Sequence, residues 1–185
     1  MATDRVRALA AEIAALPPAE RARLYRLLAV REDRPAPTQL AFPSPPDQDS
    51  APPDYVLIFD GGSRGNPGPG YGSYLIRRVR DGAQRLERLD LGDGYTNNEA
   101  EYDTLIAALE DLIGRIERAG RRPEEFALEI RGDSALVIHQ VQGKWKTAEP
   151  RMRERRDRCR ELLGRFRSAT LKTQPRAESV RLLGH

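Results

Sequence analysis

The sequence predicts an α/β domain: a mixed five-stranded sheet, three antiparallel strands and then parallel ones, flanked by helices in the order βββαβααβ. Three observations carry that expectation. Tyr55 to Phe59 is a short apolar, β-rich run with no helical period, as an interior strand requires. Asp81-Gly82 is the strongest short hairpin signal in the chain. Thr96-Asn97-Asn98-Glu99 is a capping box, and the helix it opens carries Tyr102, Leu105, Ile106, Leu109, Leu112, Ile113 and Ile116 on one face.

Taken in order, residues 3–30 read as two short helices. Val6, Leu9, Ala10 and Ile13 form one stripe and Leu24, Leu27 and Leu28 another, with Pro17-Pro18 between them. Residues 31–53 hold seven prolines among polar residues and read as an extended linker. The expected organisation is a small helical segment (1–30), this linker (31–53) and one main domain (54–185). In the main domain the first strand ends on Asp60 and a glycine-rich turn follows. Strand two covers 71–80 and strand three 83–91. Phe126, Leu128 and Ile130 alternate as strand four, which ends at Gly132-Asp133-Ser134. A helix with Leu136, Val137 and Val141 follows, and Gly143-Lys144-Trp145-Lys146 breaks it. A basic helix is expected over 150–167, burying Met152, Cys159, Leu162, Leu163 and Phe166, and a fifth strand over 169–173.

Composition narrows the function classes. No apolar run approaches the roughly 18–20 residues of a membrane span. Arg5, Glu12, Glu20 and Arg21 interrupt any secretory h-region, and the single cysteine, Cys159, fits a reducing compartment, so a cytoplasmic location is expected. The net charge of +3 hides a strong polarity. Residues 81–129 hold 13 acidic and 6 basic side chains, whereas residues 144–176 hold 12 basic against 4 acidic. Such a block suits a grip on a phosphate backbone; it equally suits a helix face laced with ion pairs.

The chemistry centres on three acids. Asp60 ends a buried strand, where a bare carboxylate is costly unless bonded, paired or metal-bound. Glu101 lies four residues before Leu105, so it starts on the packed side of its helix, while Glu99 is spent on the cap. Asp133 ends the fourth strand. Cys159 and His139 have no zinc spacing, and Ser63, Ser73 and Ser134 lack a base at any recognisable spacing.

FDGGSRGNPGPGYG, then YTNNEAEY, then RGDSALVIHQVQGKWK, in that order within residues 55–146, resemble the ribonuclease H family, of the bacterial type I branch. The resemblance implies the ribonuclease H-like fold and a metal-dependent endonuclease cutting the RNA strand of RNA–DNA hybrids. It implies Asp60, Glu101 and Asp133 as metal-binding carboxylates for two Mg²⁺ or Mn²⁺ ions. Asn66, Asn97 and Asn98 match positions near the RNA strand, with Ser134 grouped among the substrate contacts. Lys144, Trp145 and Lys146 match the stretch facing the DNA strand; for Trp145, packing alone is the competing reading. A catalytically silent hybrid or duplex binder on the same fold, or an exonuclease, are the alternatives.

One family feature is missing. A fourth metal-site aspartate usually follows a proline–arginine pair and an asparagine. Here Pro175-Arg176 is present, but the corresponding position holds Leu183. His185 is the nearest residue able to bind a metal or move a proton, and the expectation is that it stands in, with a lean toward Mn²⁺.

Overall fold

The structure is a computed structural model that describes residues 52–184 together with Glu20. The expected N-terminal helices, almost all of the linker and His185 lie outside the described residues. The strands are β1 (Tyr55–Ser63), β2 (Gly68–Arg78), β3 (Gln84–Tyr95), β4 (Ala127–Gly132) and β5 (Ser168–Thr173). The helices among residues 52–184 are α1 (Asn97–Arg118), α2 (Ala135–Val141), α3 (Pro150–Leu163) and α4 (Arg176–Leu183), with a 3-10 turn at Pro123–Glu125. The sheet order is β3-β2-β1-β4-β5, antiparallel across β3-β2-β1 and parallel across β1-β4-β5. The expected mixed five-stranded sheet is therefore present.

β1 is covered on both faces, which explains its continuous apolar run. Leu57 and Phe59 join the large core beneath α1, α2 and α3; Val56 and Ile58 join a smaller one with Leu75 and Leu183. Each such side chain, fully buried, contributes roughly 1.5–3 kcal/mol.

The strand does not end at Asp60 as expected. It continues through Ser63, because Gly61 and Gly62 stay paired with Gly72 and Tyr71 on β2. The paired glycines admit the helix. A Cβ on Gly61 would lie 2.6 Å from the Ala100 carbonyl oxygen, and one on Gly72 would lie 1.9 Å from Thr104 Oγ1. Here glycine serves close approach of α1 to the sheet rather than a turn. β3 also runs four residues past its expected end, to Tyr95.

α1 begins as its capping box dictates. Thr96 Oγ1 accepts from the Glu99 amide at 3.3 Å, and Glu99 Oε2 accepts from the Thr96 amide at 3.0 Å. The basic helix is shorter than expected. It stops at Leu163, and Phe166 is buried from the turn beyond it.

The two charged blocks meet each other. Asp103 on α1 takes a bidentate contact from Arg155 on α3, at 2.8 and 3.0 Å. Glu110 is bonded by Arg158 at 2.7 Å, and Glu117 by Arg165 at 2.5 Å. Arg155, Arg158 and Arg165 are thus engaged by the acidic helix, as the ion-pair reading of the block requires. α4 was not anticipated. Pro175 precedes it, and its last residue, Leu183, is fully buried against Val56, Ile58 and Leu75.

Candidate active site

The parallel pairing of β1 with β4 ends with Phe59 opposite Gly132, so the residues that follow each, Asp60 and Asp133, lie side by side where that pairing stops. Glu101 comes down on them from the first turns of α1. One carboxylate oxygen from each of the three lies within 4.8 Å of the others. Asp60 is 3% exposed. Burial is the largest influence on Glu101 and pushes its carboxyl up to about 7; Asp133 and Asp60 push the same way, while Ser134 and Arg176 oppose.

Three anionic oxygen donors crowded into a partly buried corner repel one another unless a cation joins them. Hard carboxylate oxygens are what Mg²⁺ and Mn²⁺ take, so the residues fit a divalent metal.

Ser134 caps α2, accepting from the Val137 amide at 3.4 Å, and gives its hydroxyl proton to Glu101 Oε2. It therefore aims a member of the cluster. Arg176, at the start of α4, donates to Asp133 Oδ2 at 3.2 Å. Sequence reasoning noted the Pro175-Arg176 pair only as a landmark and missed this contact. Glu99, by contrast, is 5% exposed and fully engaged by the cap, by Arg151 at 3.3 Å and by Arg155 at 3.8 Å. The Thr96 backbone amide is the main reason its carboxyl lies below the usual range.

The remaining sequence candidates fall into two groups. The glycine hairpin is docked onto α1 through its asparagines: Ser63 N–H donates to Asn97 Oδ1 at 2.8 Å, and Asn97 N–H donates to Asn66 Oδ1 at 3.2 Å. Both carbonyl oxygens already accept a bond, while the side-chain NH₂ groups remain as donors. Asn98 is exposed on the same turn. Lys144, Trp145 and Lys146 lie in the turn after α2; Trp145 is 49% exposed, and its ring stands 4.8 Å from that of His139. Among the described residues, neither lysine side chain makes an ion pair. Leu183, the residue at the fourth-acid position, is core, and His185 lies outside the described residues.

Residues 58–180 match the family described as reverse transcriptase-like, which extends past the stretch that carries the motifs. A ribonuclease HI of Halobacterium salinarum is 41% identical over 126 residues, covering 66% of this chain and 57% of its own. The bifunctional protein Rv2228c of Mycobacterium tuberculosis is 35% identical over 128 residues, 68% of this chain and 32% of its own. The chain thus spans between about a third and three fifths of these relatives' lengths. Among solved structures, RNase H1 of Halobacterium salinarum NRC-1 matches with a TM-score of 0.59 at 40% identity, over 69% of this chain and 89% of that one. LC11-RNase H1, solved in complex with an RNA/DNA hybrid, matches with a TM-score of 0.59 at 30% identity and the same coverage. No helix among the described residues is long and apolar enough to cross a membrane.

Proposed function

We propose, for a chain that belongs to the ribonuclease H family of reverse-transcriptase-like domains, that it is a metal-dependent endonuclease hydrolysing the RNA strand of RNA–DNA hybrids to 5′-phosphate and 3′-hydroxyl ends. The observation that carries this reading is the convergence of Asp60, Glu101 and Asp133 within 4.8 Å. Bound there, Mg²⁺ or Mn²⁺ would supply charge neutralisation at the scissile phosphate and a more acidic water.

The chain's own residues supply the rest. Asp60, within β1, and Asp133, just after β4, present fixed carboxylate oxygens, and Arg176 orients the second of them. Glu101 presents the third carboxylate oxygen from the first turns of α1, and Ser134 fixes the direction of its Oε2. Asn66 and Asn97 keep their side-chain NH₂ donors available beyond the bonds that hold the hairpin, and these can address the 2′-oxygen of RNA as an acceptor. Lys144 and Lys146 face the DNA strand's phosphates, with Trp145 against a sugar or base.

The second reading, a weak or silent hybrid binder, draws on one observation: Leu183 stands where a fourth acid is expected. Incubating labelled RNA–DNA hybrid, RNA duplex and single-stranded RNA with the full chain in Mg²⁺ and in Mn²⁺ separates the two. Cleavage confined to the hybrid's RNA strand is expected. Binding without cleavage in either metal would favour the silent binder.

A further inference from the structure

We propose that Tyr102 and Gln140 form a buried relay that holds the turn 143–146 at a fixed distance from the carboxylate cluster, and so positions the two strands of a hybrid relative to each other. This rests on the functional reading above and adds two positioning residues to it.

Tyr102 follows Glu101 directly on α1, so one turn of helix serves two directions. Glu101 points to the acids, and the Tyr102 ring is wholly buried toward α2. A buried phenol needs a partner. Tyr102 donates to Gln140 Oε1 at 2.8 Å, and Gln140 is itself only 8% exposed. The other end of the same carboxamide, Nε2, donates to the Lys146 carbonyl at 3.2 Å.

A carboxamide accepts at one end and donates at the other, which is the pairing that a hydroxyl donor and a carbonyl acceptor demand. Glu at this position would turn an acceptor toward the Lys146 carbonyl, and an apolar side chain would leave both partners unmet.

The near end of the turn is tied to α2 as well. The Lys144 and Trp145 amides both donate to the His139 carbonyl, at 2.9 and 3.1 Å. Arg160 on α3 donates to the carbonyls of Gln140 and Val141, at 3.2 and 2.9 Å. Gly143 has φ +81°, and a Cβ there would lie 3.0 Å from Arg160 Nη2. Through Gln140, the far end of the turn is referred back to the residue beside Glu101. A glutamine that merely satisfied the core would have no need to reach the one exposed segment carrying Lys144, Trp145 and Lys146.

The test is steady-state cleavage of an end-labelled hybrid by the full chain and by Tyr102→Phe and Gln140→Met, each alone and combined with Trp145→Ala. Each relay variant is expected to raise KM about 5–20-fold with kcat within about twofold, and to spread the cut over neighbouring phosphates. In the Trp145→Ala background each should raise KM by less than it does in the parent, because part of the turn's contact is already lost. Unchanged KM, a KM effect that multiplies with that of Trp145→Ala, or a loss confined to kcat would overturn the relay. Tyr102→Phe deletes one oxygen and keeps the ring, so it decides the matter even where Gln140→Met fails to fold. A parent chain that leaves hybrid uncut would overturn the functional reading instead; the same variants compared by hybrid affinity in fluorescence anisotropy would then judge the relay by the same criteria.

Discussion

Replacing Asp133 by Asn keeps its volume and removes its charge, so hybrid binding is expected to persist while cleavage falls by several orders of magnitude. Glu99→Gln is expected to do the reverse: a melting temperature lowered by loss of the cap and of the Arg151 and Arg155 pairs, with cleavage within a few-fold of the parent. Parallel cleavage and melting assays on the two variants check both halves. Glu101 adds a pH signature. Its carboxyl is raised from 4.5 to about 7 in the folded chain, so the metal-free fold favours the protonated form. Stability from that group is complete below 4.5 and is lost as pH rises through 7, by roughly 3 kcal/mol at most. With cations chelated, Glu101→Gln should therefore out-stabilise the parent in denaturant melts at pH 8 and match it near pH 4. Equal curves at both pH values would remove the electrostatic account of the cluster. The convergence of the three acids was legible in sequence, from Asp60 and Asp133 following apolar strand runs and from the offset of Glu101 from Leu105. The Arg176 and Ser134 contacts were not legible, because they depend on where α4 and the cap of α2 come to rest.

Among the elements, α4 shows what local pattern withholds. Its eight residues are too few to display a helical period, and a single Pro175 is weak punctuation. Its place is decided by Leu183 entering the small core with Val56, Ile58 and Leu75. Motif counting makes Leu183 the vacant fourth acid, whereas packing makes it a core residue. Leu183→Asp is thus expected to lower stability by about 3 kcal/mol or more, measured by urea unfolding, and to add no cleavage in Mg²⁺ or Mn²⁺. Gly184, at φ +84°, closes the helix, and the expectation that His185 stands in for the missing acid is open to direct test. His185→Ala is expected to cut cleavage about tenfold or more while leaving melting unchanged, with the larger loss in Mn²⁺; equal rates in both metals would leave three carboxylates sufficient. The basic helix carries the opposite lesson. RERRDRCRE is compatible with nucleic acid or with ion pairs, and only the sheet, by laying α1 beside α3, brings Asp103, Glu110 and Glu117 within reach of its arginines and of Arg165.

At the scale of the whole molecule, charge divides into a structural part and a part left for a partner. Glu99, Asp103 and Glu110 of α1 pair with Arg151, Arg155 and Arg158 of α3 at an interface, while Lys144 and Lys146 project from a turn whose far end Gln140 holds. The chain's net charge of +3 does not distinguish these; their placement does. Counterion release follows only from cations that reach phosphate. Replacing Lys144 and Lys146 by Ala should therefore flatten the slope of log affinity for hybrid against log salt by roughly one to two units. Arg155→Ala should leave that slope as it is, yet lower stability by about 1–2 kcal/mol, because Asp103 and Glu99 lose a partner in a partly buried seam. Fluorescence anisotropy across a salt series, paired with denaturant melts, reads both quantities on the same samples. If Arg155→Ala flattened the slope as much as the lysine pair, the α1–α3 seam would have to open onto substrate, and the division of charge drawn from the fold would be wrong.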